Sequence, residues 1–352
     1  MGIAMLNHEM ALVVKELLKR RNVDLSGCCH DFLQRQINGR LKQIRTDYKI
    51  GTEHQIYTEH QIHTEHQIDS GQKNNPKHPI QTVTEYYEYL QSHPEELEHL
   101  IDSLIIQVSS FFRDPLVFNY LFCKVLPEII ASKSASGEPS IRIWSAGCAT
   151  GEEAYSIAMQ MGELLEKSRT GSGIGIETSL TGSGTAIEKS LKGSGTAIEK
   201  RLAGNGSSMG FTVFATDINE KTLDNARKAV YAPEHLENMP FKYIRHFNRI
   251  GNGYSPKNYI KQPVTFSRYD LLDKKSYCPP ESVFGGFDLV LCRNLLIYYN
   301  TRYQNIIFTK LHRSLNDNGY LVLGETEMPT GQFQDSFTRI SDCCQIFKKI
   351  NI

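Results

Sequence analysis

The second part of the chain alternates between short apolar runs and longer stretches whose apolar residues recur at helical spacing. The β-rich runs, which begin at Ile141, are IRIW, FTVFATD, VTFSRYD, FDLVLCRN and GYLVLGE. This alternation predicts an α/β fold, in which helices cover both faces of a mostly parallel sheet. Ligands of such sheets bind at the carboxyl ends of the strands, so the residues that follow each run are the first candidates for function.

The first part of the chain has a helical pattern throughout. Residues 1–50 and 80–131 carry apolar residues near helical spacing, and Pro94 with Glu95 and Glu96 marks the start of a new helix. We therefore predict a small all-helical domain over residues 1–131 and a sheet domain over residues 132–352.

Two internal repeats interrupt these patterns. TEHQI occurs three times from Thr52, and GSG or GNG recurs from Gly171 at intervals of eleven residues. Both units are polar and shorter than the roughly 20-residue units that stack into solenoids. We interpret them as surface insertions over about 51–75 and about 170–208. The histidines of the first repeat could suggest a metal cluster, but the repeat itself accounts for them, and we predict no metal site.

Composition narrows the class of partner. Lysine and arginine together number 39, as do aspartate and glutamate, so the formal net charge is zero and gives no general attraction to nucleic acid or to an anionic membrane. The eight cysteines lack the C-x-x-C spacing of a zinc or redox site. We find no signal peptide and no apolar run near the roughly 20 residues that span a bilayer. We expect a cytoplasmic protein without membrane insertion or a nucleic-acid partner.

The first strand-like run leads into a loop of small residues, SAGCATG, from Ser145 to Gly151. Small residues allow the backbone to approach a ligand closely, and glycine permits a positive φ angle. A dinucleotide fingerprint would need glycine where Ser145 stands, which counts against a pyrophosphate ligand. Glu152 and Glu153 follow at once, and the sequence does not decide which of them contacts a ligand.

Asp217 ends the second strand-like run, where an acidic side chain can accept both hydroxyls of a ribose. It lies 66 positions after Gly151, but the insertion at 171–208 accounts for 38 of them, and the remaining 28 are close to the expected spacing of about 20. The alternative is that Asp217 caps the following helix.

Other polar residues fall beside strand-like runs. Arg113 lies in SSFFRDP, in the link between the helical part and the sheet, Arg293 and Asn294 follow FDLVLC, and Asp270 follows VTFSRY. A structural ion pair is the simpler explanation of Arg113. Core packing is the simpler explanation of Tyr298 and Tyr299.

Together these segments resemble the CheR family of chemotaxis-receptor methyltransferases. The segments that carry the resemblance are SSFFRDP, IRIWSAGCATGEEAYSIAM, FATDINEKTLDNARKAVY, FDLVLCRNLLIYY and GYLVLGETE, in this order. The resemblance implies a Rossmann-like sheet that binds S-adenosyl-L-methionine (AdoMet), with a small antiparallel β subdomain at about 235–265. It also implies methyl transfer to receptor glutamates, in sensory adaptation, with S-adenosyl-L-homocysteine as the product.

The resemblance also implies roles for individual residues. Glu152 would meet the methionine end of AdoMet, Asp217 its ribose and Asp270 with Leu271 its adenine. Arg113 and Tyr298 would be nearest the transferred methyl group and are the predicted catalytic residues. The remaining predicted cofactor residues are Gln107, Ser109, Arg293 and Asn294, with Arg113 again among them. Many members read TNET where this chain reads QVSS, but glutamine can replace asparagine and serine can replace threonine as hydrogen-bonding groups.

The implied partner is the helical cytoplasmic domain of a receptor, with a C-terminal tether peptide in some members. Arg35, Lys42 and Arg45 share one face of a predicted helix and could dock such an acidic helix, or could simply be solvated. Two other functions stay open: a non-catalytic AdoMet-binding regulator, and a methyltransferase with another acceptor. A nicotinamide dehydrogenase is disfavoured by the missing glycine.

Overall fold

A seven-stranded sheet organises the larger part of the structure, which is a computed structural model. It describes residues 11–13, 15–17, 29–59, 80–104, 109–138, 140–170, 209–237, 239–273 and 275–350. The described strands are β1 Ser140–Ala146, β2 Gly210–Asp217, β3 Phe247–Ile250, β4 Gly253–Pro256, β5 Val264–Arg268, β6 Phe287–Cys292, β7 Leu315–Leu323, β8 Phe337–Arg339 and β9 Ile346–Lys349.

The strand order in the large sheet is β5-β2-β1-β6-β7-β9-β8. The first five strands are parallel, with Ile143 of β1 beside both Val213 of β2 and Leu289 of β6. β9 pairs antiparallel with β7 and with β8. All six residues of β6 are buried, as expected for a central parallel strand covered on both faces. The predicted α/β fold is confirmed, whereas the sequence pattern did not reveal the antiparallel edge.

The chain runs outward from β1 to one side of the sheet and then returns to the other side. β2 and β5 lie on one side of β1, and β6 and β7 lie on the other. The connections after β1 and β6 therefore leave the sheet in opposite directions, which opens a crevice at the carboxyl ends of these strands. This crevice is the expected position of the functional site.

Helices flank the sheet and precede it along the chain. The described helices are α1 His30–Glu59, α2 Val83–Ser92, α3 Pro94–Leu104, α4 Pro115–Tyr120, α5 Leu126–Ser136, α6 Glu152–Thr170, α7 Glu220–Lys228, α8 Asn258–Lys261 and α9 Thr301–Ser314. A π-helical turn, Leu121–Val125, joins α4 to α5. α1 continues through the start of the first repeat to Glu59, and the second repeat lies outside the described residues.

The chain divides into two units, Met1–Ile106 with Tyr298–Asn300, and Gln107–Ile297 with Thr301–Ile352. The boundary predicted from the sequence lies at residue 131. Residues 107–131 instead group with the sheet, because Val117, Phe118 and Leu121 belong to the same buried cluster as the strands. The helical pattern alone could not show which neighbour these residues pack against.

The 22-residue helical stretch Pro115–Ser136 is long and apolar enough to pass a length and composition test for a membrane span. It is longer than we expected from the sequence. One such helix is weak evidence of a span, because a core helix passes the same test. Several of its apolar side chains lie in the core of the sheet unit, including Val125, Leu126 and Ile129.

The first unit is held together by an apolar core and by one buried carboxylate. Glu96 of α3 accepts two hydrogen bonds from the guanidinium of Arg40, at 3.0 and 2.6 Å, and a third from the hydroxyl of Tyr86 at 2.7 Å. α2 begins with a capping box formed by Thr82 and Glu85, which satisfies backbone N–H groups at its first turn. These contacts link α1, α2 and α3.

The second unit also contains a hairpin. β3 and β4 pair antiparallel, with Asn248 opposite Ser255. Tyr231 forms an isolated bridge to Tyr254 and extends the pairing by one residue. The small antiparallel subdomain predicted at about 235–265 is therefore present.

Candidate functional site

The turn between β1 and α6 is built from backbone conformations that bring the chain close to the sheet. Gly147, Ala149 and Gly151 all have positive φ angles, of 75°, 47° and 92°. A Cβ atom on Gly151 would lie 3.0 Å from Cζ of Phe266 and 3.1 Å from Cβ of Ala226. Glycine at 151 is therefore required both by the φ angle and by the packing against β5 and α7.

The end of β2 fixes this turn. The N–H groups of Gly147 and Cys148 both donate to the carbonyl of Thr216, at 2.8 and 2.9 Å. The carboxylate of Asp217 accepts from the N–H of Ala149 and from that of Asn219, each at 3.0 Å. Burial raises the pKa of Asp217, and its backbone donors oppose that shift.

Asp217 is not the cap of the following helix. α7 begins at Glu220, and the side chain of Asn219 caps it by accepting from the N–H groups of Lys221 and Thr222. The alternative explanation of Asp217 is therefore wrong, and its carboxylate stays between the ends of β1 and β2.

Glu152 is fully buried at the start of α6. Its carboxylate accepts from the hydroxyl of Thr150, and its Oε1 lies 2.8 Å from Nδ1 of His235. His235 comes from the short 3₁₀ turn Pro233–Leu236 and is partly exposed. No motif in the sequence pointed to His235 as a neighbour of Glu152.

Glu153 belongs to a second network, whose centre is Arg293. Glu153 accepts from the hydroxyl of Ser145 at 2.7 Å and from Nη1 of Arg293 at 3.0 Å. Nη2 of Arg293 donates to the carboxylate of Asp114 at 2.6 Å and to the carbonyl of Arg113 at 2.8 Å. The guanidinium thus joins the ends of β1 and β6 to the SSFFRDP segment, and a cofactor contact of Arg293 stays a prediction.

The backbone around Arg113 has an unusual conformation. Phe112 and Asp114, on either side of it, have positive φ angles of 54° and 59°. Phe112 donates its N–H to the hydroxyl of Ser156 in α6 at 3.0 Å, and Arg293 holds the next carbonyl. Non-glycine residues in this conformation store strain that surrounding contacts must offset. Arg113 is therefore presented by a constrained turn, and Ser109 lies just before it.

The end of β5 contributes the predicted adenine residues. Asp270 is exposed, and its carboxylate accepts from the N–H of Leu272 at 2.8 Å, whereas Leu271 is buried. This end lies beside the end of β2, since Asp217 pairs with Arg268 in the sheet register. The structure thus brings Asp217, Asp270 and Leu271 to one edge.

Asn294 follows β6 and has a positive φ angle of 57°. Its N–H donates to the carboxylate of Glu327, 3.0 Å away. Burial raises the pKa of Glu327, and four backbone donors oppose that shift. Glu327 lies in the segment GYLVLGETE, whose sequence pattern assigns this residue no role.

Tyr298 belongs to the first unit. Its ring centroid is 4.9 Å from that of Phe32, and its carbonyl accepts from the N–H of Cys29 at 2.9 Å. A shared methyl site for Tyr298 and Arg113 stays a prediction. Gln107 lies outside the described residues.

The residues at the crevice fit AdoMet in their chemistry. The carboxylate of Asp217 has about four acceptor positions, and the N–H groups of Ala149 and Asn219 occupy two, which leaves acceptors for ribose hydroxyls. Glu152 and Glu153 supply negative charge beside the turn, as a ligand with an ammonium and a sulfonium requires. Among the described residues, no group of three or more metal-ligating side chains could hold a metal ion.

Comparison with known families identifies the second unit. The family model "CheR methyltransferase, SAM binding domain" matches residues 107–178 and 196–343, more than half of the chain. The chain belongs to the CheR methyltransferase family. The predicted family, the AdoMet-dependent methyltransferase activity and the cofactor are confirmed by this match and by the relatives below. The interruption of the CheR match falls within the predicted insertion at 170–208.

Relatives support the assignment to the CheR family. A chemotaxis protein methyltransferase of Pseudomonas aeruginosa is 30% identical over 259 residues, 70% of this chain and 76% of that protein. A 104.1 kDa uncharacterised protein of Rhodobacter capsulatus is 30% identical over 263 residues, 74% of this chain but only 23% of that protein.

Among solved structures, the chain shows a low similarity to the magnesium protoporphyrin IX methyltransferase of Synechocystis with bound SAM. It is 16% identical, with 70% of this chain and 86% of that chain covered and a TM-score of 0.31. At this level the similarity supports no argument about function.

Proposed function

We propose that this CheR-family chain transfers a methyl group from AdoMet to side-chain carboxylates of glutamates in chemotaxis receptors. The products would be glutamate methyl ester and S-adenosyl-L-homocysteine. The observation that carries the proposal is the cradle formed by Gly151, Asp217 and the Arg293 network at the carboxyl ends of β1, β2 and β6. The relatives named for chemotaxis supply the class of acceptor.

The reaction requires positioning more than proton transfer. A glutamate side chain has a pKa of about 4.3, so only roughly 1 in 500 is protonated at pH 7 and no base is needed. Bound AdoMet would supply an electrophilic methyl group and a sulfide leaving group. Alignment of two reactants can lower a barrier by about 7–11 kcal/mol, which matches a site built from constrained turns.

Arg113 is our candidate for orienting the receptor carboxylate. Phe112 and Asp114 restrict its backbone, and Arg293 holds its carbonyl, so the backbone that carries its side chain has a defined position. A guanidinium can bind both oxygens of a carboxylate and fix the direction of attack. Tyr298 would shape the methyl pocket by hydrogen bonding, and Glu152 would hold the ammonium group of the cofactor.

The helical first unit is our candidate for receptor docking. Arg35 and Lys42 of α1 are exposed and available to an acidic helix. Arg45 is different, because its guanidinium donates to the carbonyls of Ile80 and Gln81, the first at 2.7 Å. We therefore narrow the docking face to Arg35 and Lys42. The β3–β4 hairpin is the candidate site for a receptor tether peptide, and we propose a cytoplasmic location.

The decisive test is incubation of the full chain with methyl-labelled AdoMet and receptor cytoplasmic fragments. Base-labile label on receptor glutamates is the expected result. Binding of AdoMet without transfer to any receptor fragment would favour the non-catalytic regulator. Label on a small molecule or on another protein would reassign the acceptor.

Docking has its own test. The double variant R35E/K42E should lower receptor methylation at least about tenfold, with AdoMet binding unchanged, because charge reversal opposes an acidic partner. The control is K228E/K275E, which reverses two exposed lysines of the sheet unit. Equal losses of receptor methylation in both variants would contradict the docking face.

A further inference from the structure

Glu327 has a carboxylate whose described contacts are all to backbone N–H groups. Oε2 accepts from Gly324 at 2.7 Å and from Asn294 at 3.0 Å. Oε1 accepts from Leu296 at 2.7 Å and from Ile297 at 3.3 Å. The side chain is buried, 4% exposed, so these four donors replace water around both oxygens. One carboxylate thereby ties the end of β7 to the turn that follows β6.

We propose that Glu327 is a positioning residue that holds the turn Asn294–Ile297 in the conformation needed for cofactor binding and methyl transfer. The proposal rests on the proposed function and adds a residue to which no role has been given. Glu327 would act through the turn, without touching the cofactor.

Gly324 shows how closely the two segments approach. A Cβ atom on Gly324 would lie 2.8 Å from the N–H nitrogen of Asn294 and 2.8 Å from Oε2 of Glu327. Real Cβ atoms essentially never come that near to other heavy atoms. Gly324 allows the two segments to approach, and Glu327 binds the turn after β6. Together these contacts explain the glycine and the last glutamate of the motif GETE.

The turn needs an external anchor because its own conformation is unfavourable. Asn294 has a φ angle of 57°, in the left-handed region that disfavours most residues. Its N–H and those of Leu296 and Ile297 point toward one place, where only an acceptor with several lone pairs can satisfy them. A carboxylate has about four such positions and no hydrogen to donate.

The turn also controls the residue before it. Arg293 leads directly into Asn294, and its guanidinium bonds to Glu153, Asp114 and the carbonyl of Arg113. A displaced turn would therefore move the group that supports Arg113. This gives Glu327 an influence on both the cofactor side and the acceptor side of the site.

The test variant is E327Q, which keeps the size of the side chain but replaces one oxygen by an NH₂ group facing backbone donors. We expect a rise of at least about tenfold in the dissociation constant for AdoMet, measured by calorimetry on the full chain. Hydrogen exchange of the unliganded protein should show faster exchange at the amides of Gly324, Asn294, Leu296 and Ile297. kcat/KM for receptor methylation should fall further than binding alone accounts for.

Two controls separate positioning from general destabilisation. Glu163 is also buried in the sheet unit, where it pairs with Lys167 and Lys242, so E163Q should lower the thermal midpoint but leave AdoMet binding within about twofold. Glu325 is exposed in the same motif, so E325Q should resemble the wild type. E327D, which keeps both oxygens, should recover part of the lost affinity.

Wild-type AdoMet affinity and wild-type amide exchange in a folded E327Q would overturn the proposal. If E327Q does not fold, G324A strains the same contact without altering the carboxylate, and wild-type affinity in G324A would overturn the proposal equally. Failure of the proposed function has a different signature: the wild-type chain binds AdoMet but transfers nothing, and the affinity comparison still decides the role of Glu327.

Discussion

Two turns at the carboxyl edge of the sheet are held in different ways. The turn after β1, from Gly147 to Gly151, is fixed by its own backbone angles and by the adjoining end of β2. The turn after β6, from Asn294 to Ile297, is fixed by the carboxylate of Glu327, which arrives from beyond β7.

This difference determines which substitutions should disrupt each turn. The first turn depends on the absence of side-chain atoms at Gly151, so almost any substitution there creates a steric clash with residues that already fill the space. The second turn depends on the presence of one side chain, so it is sensitive to small chemical changes at Glu327. The following predictions probe this contrast, from the largest expected effect to the smallest.

The substitution G151A should have the largest effect. Alanine at a φ angle of 92° is strained and its Cβ would press on Phe266, so we expect a loss of about 2–4 kcal/mol in the free energy of unfolding. AdoMet affinity should fall with it. Urea denaturation and calorimetry measure the two effects.

The control for G151A is G162A in the middle of α6, where the added Cβ has no heavy atom within 4 Å apart from the adjoining backbone of its own helix. It should stabilise the protein by up to about 1 kcal/mol, because alanine is a better helix former than glycine. Equal destabilisation by both variants would mean that the β1 turn is not specially dependent on glycine.

Lowering the pH should reduce the free energy of unfolding because of His246, and not because of the carboxylates of either turn. Burial lowers the pKa of His246 to about 3, because its imidazole lies in the core and Arg245 and Lys257 are nearby. The unfolded chain takes up this proton near pH 6.5 and the native state does not, so the stability that His246 contributes is full above 6.5 and is lost as pH falls toward 3. From pH 7 to pH 5 we expect a loss of about 2 kcal/mol.

The two turn carboxylates act in the opposite direction. The pKa values of Asp217 and Glu327 are higher in the folded protein than in the unfolded chain. Their protonation therefore adds to the free energy of unfolding at pH values below the pKa of the unfolded chain, and this contribution is lost as the pH rises through the pKa of the folded protein. Unfolding free energies of H246N across pH 5–7 should therefore be flatter than those of the wild type. An unchanged slope in H246N would shift the cause to other groups, and the exposed His99, changed to Asn, serves as the control.

The substitution R293K should loosen the link between the two turns. Lysine carries one compact charge and cannot reach Glu153, Asp114 and the carbonyl of Arg113 together, so we expect a loss of roughly 1.5 kcal/mol and a lower rate of methyl transfer. Fixed-time methylation assays measure the rate of methyl transfer, and thermal denaturation measures the loss of stability. A transfer rate equal to the wild type in a less stable R293K would show that Arg293 does not influence Arg113.

The smallest effect is expected from S145A. Only the hydrogen bond from Ser145 to Glu153 is lost, and Arg293 still holds that carboxylate, so the change should be about 0.5–1 kcal/mol. Thermal denaturation checks this value. A loss several times larger would mean that Ser145 anchors the β1 turn, which would make the two turns more alike than they look.

Much of the fold and part of the site followed from the sequence. The alternation of runs predicted the five parallel strands, and the ends of those strands located Asp217, Asn294 and Asp270 correctly at one edge. These features are local, because a strand and the residue after it are adjacent in the chain.

The parts that sequence could not predict depend on long-range contacts. Glu327 meets Asn294 across 33 positions, and Glu152 meets His235 across 83. Residues 107–131 have the same periodicity whether they pack on helices or on a sheet, so the periodicity alone does not locate the boundary between the two units. Tyr298 groups with Phe32 although Ile297, the residue just before it in the chain, belongs to the sheet unit.

The rotation of α4 about its axis depends on the number of residues in the π-helical turn Leu121–Val125. The N–H of Leu126 donates to the carbonyl of Leu121, five residues earlier, so this turn holds one residue more than an α-helical turn. Deleting a single residue here would restore α-helix and rotate α4 by about 100° about its axis relative to α5. Since α4 starts directly after Asp114, an insertion or deletion in this turn would move Arg113 and Asp114 together, although no residue at the ends of the strands is substituted.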